Sequence, residues 1–380
     1  MLAASTLAQA ATAVMVHGPA FLIPALHAQG MSLARAGLVA AAPTLGVMLT
    51  LVAWGAVTDR RGERFVLLVG LAGTTVAGLG AVLTRGTAAL AVALFLAGAA
   101  AASTNAASGR VVVGWFPAER RGLAMGIRQM AQPVGVGIAA VSVAVVADAY
   151  GVTAALWVPT IICALAAAVV AVVVLDPPRP PAEEGVAAVN PYRQDSFLAR
   201  VHGVSVLLVV PQFLVWSFAL VWLVQDRGWA PAAAGTVVAI AQVAGALGRI
   251  GVGHLSDVVG SRMRPLRWVA LAAGATMALL GLSAALDWAV AVLLVVVATL
   301  VTVADNGLAF TAVAERAGPS WSGRALGVQN TAQFLTASLV PPLAGLGVTH
   351  LGYAATFALA AAFPVLAAPL VPVREERALT

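Results

Sequence analysis

The side chains that could do chemistry in this chain are few, and they lie inside long apolar segments. Arg128 and Arg249 are guanidinium groups in such segments, Asp305 is the one carboxylate well inside a segment, and His17 is the one deep histidine. An ionisable group in hydrocarbon is costly, so its presence there favours a functional site. Arginines and amides would bind a small polar or anionic molecule, and Asp305 and His17 could carry a proton.

Sequence spacing puts the polar residues on shared helix faces. Arg128 and Gln132 are four residues apart, and Asp305 and Asn306 follow Thr302 at i+3 and i+4. Three arginines against one carboxylate inside the apolar segments favour a negatively charged cargo. The predicted substrate-binding residues are His17, Asn105, Arg128, Gln132, Gln212, Trp216, Gln242, Arg249, Asp305, Asn306, Gln329, Asn330 and Gln333.

A structural interpretation of the same residues stays open at this point. Arg128 could extend its head group to the nearer membrane surface. Arg249 could pair with Asp257 or with Asp305, and His17 could be a satisfied core histidine. The amides and Trp216 could equally be packing contacts between helices.

The segments that carry these residues must cross a membrane. Of 380 residues, 61% are hydrophobic and 9% are charged, whereas a soluble protein keeps about 25% of its residues charged. A crossing helix needs roughly 20 apolar residues. The predicted spans are 4–27, 33–57, 65–84, 88–113, 123–146, 153–175, 204–225, 232–255, 268–286, 288–312, 326–348 and 353–373. Spans three, six, nine and twelve carry no charged, amide or histidine side chain and are predicted to face lipid.

Arginines determine the predicted orientation, because cytoplasmic loops retain positive charge. Of the 21 arginines, fifteen lie in loops and a tail on one side, three lie on the other side and three lie within spans. This asymmetry predicts that both termini are cytoplasmic in a multi-pass protein of the plasma (inner) membrane. The Pro-rich segment 176–203 is predicted to be a cytoplasmic linker between six-helix bundles at 1–175 and 204–380.

The two halves of the chain repeat each other in the same order. DRRGER at Asp59–Arg64 is similar to DVVGSR at Asp257–Arg262, at an offset of 198 residues. GLAMGIRQMAQ and GRALGVQNTAQ are related by an offset of 201, as are Asn105 and Asn306. Parallel repeats of this kind are typical of secondary transporters.

Two loop motifs resemble a known family. The pattern Gly55-x-x-x-Asp59-Arg60-x-Gly62-x-Arg64 is similar to the loop 2–3 signature of the major facilitator superfamily, and Gly253-x-x-x-Asp257-x-x-Gly260-x-Arg262 resembles its second-half copy. The resemblance implies an all-α membrane fold of twelve helices in two pseudo-symmetric bundles, alternating access and a monomer. It implies gating roles for Gly55, Asp59, Arg60, Gly62, Arg64, Asp257, Gly260 and Arg262.

The charges of the first motif suggest how a gate could work. Asp59 lies at a helix end, where its carboxylate could meet the N-terminus of a neighbouring helix. Arg60 and Arg64 could pair with Asp59 or Glu119. Such contacts would close one side of the protein in one state and break in the other.

The predicted function is therefore secondary active transport of a small organic solute, with a proton-coupled organic anion favoured. Proton-driven efflux of a drug or an amphipathic metabolite through Asp305 is the alternative, and uniport stays open. The chain has no Gly-Lys-Ser/Thr phosphate loop, zinc motif or serine elbow, so no enzyme, cofactor or metal is predicted. Its scattered arginines do not predict nucleic-acid binding. The expected partners are the solute, a coupling proton and the lipid bilayer.

Overall fold

A computed structural model describes residues 1–177 and 190–377, apart from the side chains of residues 33, 34, 231 and 232. Within these ranges the chain is almost entirely helical and has no strand, because helices satisfy backbone hydrogen bonds internally where water is absent. The helices are α1 (Leu2–His17), α2 (Ile23–Ala28), α3 (Leu33–Arg61), α4 (Glu63–Leu83), α5 (Thr87–Trp115), α6 (Ala118–Gln129), α7 (Ala131–Val173), α8 (Phe197–Gln225), α9 (Pro231–Val259), α10 (Met263–Ala285), α11 (Val290–Thr302), α12 (Asp305–Ala317), α13 (Ser322–Ala360) and α14 (Ala362–Leu370).

Ten helical runs among the described residues are long and apolar enough to cross a membrane. Two of them, Ala118–Val173 and Ser322–Glu375, contain 56 and 54 residues, more than twice the roughly 20 that one crossing requires. Each is interrupted by a glycine in a non-helical conformation with positive φ, at Gly151 (83°) and Gly352 (81°). Each run therefore contains two crossings, and the predicted all-α fold of twelve transmembrane helices is confirmed.

Several spans that the sequence predicts as continuous are interrupted in the structure. A 3-10 turn, Gly18–Leu22, separates α1 from α2, at a proline that has no amide hydrogen to continue the helix. The tenth span breaks between Thr302 and Asp305, and the Asn306 side chain donates to the Val303 carbonyl there at 3.3 Å. Asn306 thereby satisfies one of the carbonyl groups that the break releases from the helical pattern.

The chain folds into two compact units, and each takes in a short segment from the other half of the sequence. The first unit comprises Met1–Trp115, Met130–Val189 and Ala317–Thr331, and the second comprises Phe116–Gln129, Asn190–Arg316 and Ala332–Thr380. The division into 1–175 and 204–380 stays a prediction about the repeated halves. Residues 178–189 of the predicted linker lie outside the described residues, whereas Pro191–Arg193 form a 3-10 turn and α8 already begins at Phe197.

Each unit has its own apolar core of small and branched side chains. In the first unit α1 packs on α5 and α7, around residues such as Leu67, Leu71 and Cys163. In the second unit Trp222 meets Phe357 edge to face, with ring centroids 5.8 Å apart. Alanine and glycine dominate many of these contacts, which lets membrane helices approach closely.

The helices that the sequence predicts to face lipid expose large apolar side chains. Val76 on α4, Leu165 on α7, Leu271 on α10 and Leu366 on α14 are each more than half exposed. A soluble protein rarely carries so continuous an apolar surface, whereas a bilayer requires one.

Candidate functional site

A buried carboxylate lies at the break in the tenth span, within the second unit. Asp305 begins α12 and is 1% exposed. Neither of its side-chain oxygens accepts a hydrogen bond from another side chain of the described residues, and the main-chain amides of Asp305 and Asn306 are its nearest donors. The N-terminus of a helix favours a negative charge there. An unsatisfied carboxylate inside a membrane protein is nevertheless costly, which makes it a candidate for a proton or substrate site.

One arginine lies beside this carboxylate, and a second arginine is linked to the first through Gln129. Arg249 attracts Asp305 electrostatically, and its Nη1 donates to the carbonyl oxygen of Gln129 at 2.9 Å. The Nε of Arg249 is buried without a hydrogen-bond partner among the described residues. Arg128 is 1% exposed, donates to Oε1 of Gln129, and has its guanidinium carbon 5.4 Å from the centre of the Phe310 ring. Arg249 and Arg128 thus both contact Gln129, and with Asp305 beside Arg249 they form a cluster of two positive charges and one negative charge.

Three of the predicted binding residues form a chain of side-chain amides next to Asp305. Asn306 donates from Nδ2 to Oε1 of Gln212 at 3.1 Å, and Gln333 donates from Nε2 to Oδ1 of Asn306 at 2.9 Å. The chain joins α8, α12 and α13 at the point where the tenth span is broken. These side-chain amides hydrogen-bond to one another, and the bonds to Asn306 also hold the start of α12 in position.

The other predicted residues of the second unit lie on helix faces without joining this cluster. Trp216 is 48% exposed and packs edge to face against Phe213, with centroids 5.3 Å apart. Gln242 is half-buried on α9.

The first unit contains a related amide pair. Gln9 donates from Nε2 to Oδ1 of Asn105 at 3.2 Å, and Ser108 donates to Oε1 of Gln9 at 2.8 Å. Asn105 corresponds to Asn306 in the sequence repeat. Each unit thus contains an asparagine–glutamine contact in which the asparagine occupies the matching position of the repeat. Gln9 is absent from the predicted binding set, although its place as an amide inside the first span was a usable signal.

The remaining predicted residues of the first unit fall into two groups. Nε2 of His17, at the end of α1, lies 3.4 Å from Nε2 of Gln132 on α7. Asn330 donates to the Leu326 carbonyl of its own helix at 2.8 Å, and Gln329 is fully buried. His17 and Gln132 therefore come together, whereas the Asn330 side-chain amide is bonded locally.

Asp59 of the first loop motif meets the N-terminus of α13. Its carboxylate accepts hydrogen bonds from the main-chain amides of Gly323 at 2.8 Å and Arg324 at 3.1 Å. It also accepts from the side chains of Arg324 at 2.9 Å and Arg110 at 3.0 Å, and Arg110 further contacts Glu63 at 2.9 Å. These charge-assisted hydrogen bonds attach the end of α3 firmly to the N-terminus of α13 and to Arg110 on α5.

The arginines of the motif itself have other contacts. Arg64 donates to the carbonyl of Ala171 at 2.8 Å, and its main-chain amide donates to Asp176 at 2.8 Å. Arg60 is exposed. The pairing of Arg64 with Asp59 that the sequence suggested is replaced by arginines from α5 and α13, because those helices pack against the motif in the folded unit. Gly62 ends α3, as Gly260 ends α9.

The second motif makes the corresponding contact within the second unit. Asp257 accepts from the main-chain amides of Gly122 at 2.9 Å and Leu123 at 2.8 Å, both on α6. Gly122 and Gly323 are equivalent in the sequence repeat. Arg262 is 1% exposed and bonds Asp257 at 2.6 Å. The sequence left open a pairing of Arg249 with Asp257. In the structure Asp257 pairs with Arg262 instead, which is only five residues away in the sequence.

Sequence reasoning missed several members of these charge clusters. Glu63, Arg110 and Arg324 complete the first cluster, and Glu315 completes the second by lying 3.3 Å from Arg262. Glu63 stands inside the motif and was a visible candidate. The others are distant in sequence and become neighbours only when the helices pack. Among the described residues, no group of three or more His, Cys, Asp or Glu side chains could hold a metal ion.

Known proteins with similar sequences and folds agree with this architecture. A family model described as Major Facilitator Superfamily matches residues 3–341. An uncharacterized MFS-type transporter of Mycobacterium tuberculosis strain H37Rv is 46% identical over 370 residues, which cover 96% of this chain and 82% of that protein.

Two solved structures share the fold at low sequence identity. The Escherichia coli fucose:proton symporter FucP has a TM-score of 0.80 and 14% identity, over 99% of this chain and 98% of that chain. The human organic anion transporter MFSD10 has a TM-score of 0.76 and 16% identity, over 97% of this chain and 98% of that chain. The motifs, the twelve-helix fold and the family match lead to one identification: the chain belongs to the major facilitator superfamily of membrane transporters.

Proposed function

We propose that this transporter moves a small organic anion together with a proton by alternating access. The cluster of Arg128, Arg249 and Asp305 carries the proposal. Its excess of positive charge attracts an anion, and its carboxylate has no side-chain hydrogen-bond donor among the described residues. We further propose that the protein resides in the cytoplasmic membrane with both termini in the cytoplasm, on the basis of its arginine asymmetry.

The chemistry of the cluster suggests how a proton and an anion would be coupled. With Asp305 ionised, Arg249 has a competing negative charge next to it. A proton on Asp305 removes that competition, so that Arg249 and Arg128 can both attract an anionic substrate. Release of the anion returns Arg249 to Asp305, which favours release of the proton. The two species would therefore travel in the same direction.

The fold does not determine which solute is transported, because proteins of the same fold transport different solutes. One structural neighbour is named a fucose:proton symporter and another an organic anion transporter, at almost equal similarity. The charge of the cluster is the observation that favours the anion for this chain. His17 with Gln132 is proposed as a second site that could take up a proton or a substrate group.

The alternative is proton-driven efflux of a drug or an amphipathic metabolite, with Asp305 as the carrier site. The buried carboxylate supports this reading as well. Arg249 beside it, with Arg128 joined to Arg249 through Gln129, disfavours a cationic drug, because like charges in a low-dielectric site repel strongly.

A ligand panel separates the two functions. The purified protein is heated with carboxylates, sugars or lipophilic drugs at two pH values. A ligand that binds the folded state at 100 times its Kd stabilises by about 2.7 kcal/mol. Stabilisation by carboxylates that is lost in Arg249→Ala and Arg128→Ala supports the proposal. Stabilisation by drugs alone that is sensitive to Asp305→Asn supports efflux and overturns it.

The arginine variants need a control for the general loss of positive charge. Arg227→Ala serves this purpose, since Arg227 pairs with Asp287, whose side chain is 89% exposed, at a different part of the second unit. This control should keep the carboxylate response. Flux of the best ligand in proteoliposomes, with and without a pH gradient, then tests the coupling.

We also propose that the two loop motifs act as gates. Asp59 holds the start of α13 and Asp257 holds α6, each through two main-chain amides. Contacts of this kind can break and re-form without unfolding a helix. Gly55 supports the first gate by permitting close approach of α3 to α13.

A further inference from the structure

The segment that follows α14 contacts the second loop motif. After α14 the residues Val373–Glu375 form a short 3-10 turn, and Glu376 follows it. Oε1 of Glu376 accepts hydrogen bonds from the main-chain amides of Arg262 and Met263, at 2.5 and 3.1 Å. Oε2 accepts from the hydroxyl of Ser261 at 2.5 Å. Both oxygens of the carboxylate are therefore used at the N-terminus of α10, where negative charge is favoured.

The residue that Glu376 holds by its main chain is the centre of the second charge cluster. The Arg262 side chain bonds Asp257 at 2.6 Å, lies 3.3 Å from Glu315, and donates to the carbonyl of Ala118. These contacts join α9, α12 and α6. Asp257 in turn accepts from two amides of α6. Arg262 thus joins Asp257 in hydrogen-bonding the start of α6 in the second unit.

The neighbouring tail carboxylate has a different environment. Glu375 pairs with Arg200 near the start of α8, and its side chain is 38% exposed. Within the described part of the chain, its side-chain ion pair is with Arg200 and not with the motif. The two adjacent glutamates therefore differ in their partners. Among the described residues, Glu376 hydrogen-bonds to the start of α10, whereas the Glu375 side chain bonds to Arg200.

We infer that Glu376 is a positioning residue for the second gate and that the C-terminal tail acts as its latch. With Glu376 in position, the start of α10 is fixed and Arg262 points into the cluster. When the tail leaves, the amides of Arg262 and Met263 lose their acceptor, and Arg262 loosens its hold on Asp257 and Ala118. The inference rests on the gating role proposed above for Asp257 and Arg262.

A buried alanine next to Arg262 can report this release. Ala118 is 4% exposed and its carbonyl accepts from Arg262. The full-length protein is made with Ala118→Cys and Cys163→Ala, which removes the one natural cysteine. A maleimide then labels position 118 at a rate that follows opening of the cluster. Glu376→Gln should raise this rate by about two- to fivefold, the range expected for loss of a charge at a helix N-terminus.

Three further variants make the result specific. Glu375→Gln is the matched control and should label at the parent rate. Glu376→Asp keeps the charge and should restore most of the protection, which a loss of general packing would not allow. Ser261→Ala removes one partner of Glu376 without changing charge and should raise the rate by a smaller factor, so it tests the latch even where Glu376→Gln folds poorly.

The outcomes separate the latch from the gate. An unchanged labelling rate in Glu376→Gln and Ser261→Ala, or an equal rise in Glu375→Gln, overturns the latch. A rise confined to Glu376→Gln and Ser261→Ala supports it. If labelling rises in this way but transport rates in proteoliposomes stay at the parent value, the latch stands and the proposed gating role of the motif fails.

Discussion

Asp59 and Asp305 are both almost inaccessible carboxylates, yet their surroundings are opposite. Asp59 accepts hydrogen bonds from two main-chain amides and two arginine side chains. Asp305 has no side-chain hydrogen-bond donor among the described residues, and its charge is offset by Arg249 and by the start of α12. A carboxylate with many charge-assisted hydrogen bonds stabilises the arrangement around it, whereas one with few of them can take up a proton at a smaller cost. The two residues therefore belong to different tasks.

Replacing Asp59 by asparagine should slow transport while the protein still folds. The amide keeps the shape of the side chain but loses the charge that strengthens its bonds to α13 and Arg110, a loss of about 1–3 kcal/mol if a buried donor is left without its acceptor. We expect transport in proteoliposomes to fall about tenfold, which corresponds to about 1.4 kcal/mol in a barrier. Asp148→Asn, at an exposed position, is the control. Parent transport rates in Asp59→Asn would contradict the gating role.

At the scale of helices, the first gate depends on close contact between α3 and α13. A Cβ atom added at Gly55 would lie 2.2 Å from the carbonyl oxygen of Gly323, a backbone atom that cannot move aside cheaply. Gly55→Ala should therefore destabilise the protein by about 1–3 kcal/mol, as overpacking does in other cores.

The same helix offers a matched control for this change. A Cβ atom at Gly37 meets nothing within 4 Å, so Gly37→Ala should be neutral or stabilise by about 0.5–1 kcal/mol through helix propensity. Thermal unfolding of the two variants in one detergent measures the difference. Equal melting temperatures would mean that the α3–α13 contact contributes little.

A second contact between elements should make stability depend on pH. Asp195 pairs with Arg316 at the end of α12 and accepts from the Phe197 amide at 3.0 Å. Burial alone would raise the pKa of Asp195, but the Phe197 amide and Arg316 outweigh it and hold the pKa below its ordinary value. A lowered pKa gives stability that is present above the unfolded carboxyl pKa, about 3.9, and is lost as the pH falls through the folded value.

Asp195→Asn tests the sign of this dependence. At pH 7 the free energy of unfolding of the variant should be about 0.5–1 kcal/mol lower than that of the parent protein. The difference in free energy of unfolding between variant and parent should disappear as the pH falls below about 4 and through the lowered pKa of Asp195, where the parent carboxyl also becomes neutral. Asp226→Asn, at an exposed position, should show neither effect. A gap that stays constant with pH would exclude a charge-dependent contact.

At the scale of the whole molecule, the arginine asymmetry predicts a definite orientation. Arg61 and Arg85 are exposed at opposite ends of α4, whose 21 residues span about 30 Å. In a Cys163→Ala background, a membrane-impermeant maleimide should label Arg85→Cys in intact cells. It should label Arg61→Cys only in inverted membrane vesicles. The reverse pattern would mean that the first unit is inserted the other way.

Composition and motif spacing were sufficient to determine the class of protein. Segments such as 65–84 and 268–286 could be recognised because hydrocarbon selects for apolar length, a property that the sequence carries directly. The repeat offsets and the Asp59 and Asp257 motifs indicated the family because they are local strings. The in-span charges Arg128, Arg249 and Asp305 could be nominated for the same reason.

Only the tertiary structure decided which of these residues meet. The partners of Asp59 come from α5 and α13, and the amide chain around Asn306 comes from α8 and α13. The helix break just before Asp305 falls in a segment with neither proline nor glycine at 303–304. In the sequence, nothing distinguishes Glu376 from the other charged residues of the polar segment 374–377. Contacts between distant helices depend on packing and crossing geometry, which no local string of residues encodes.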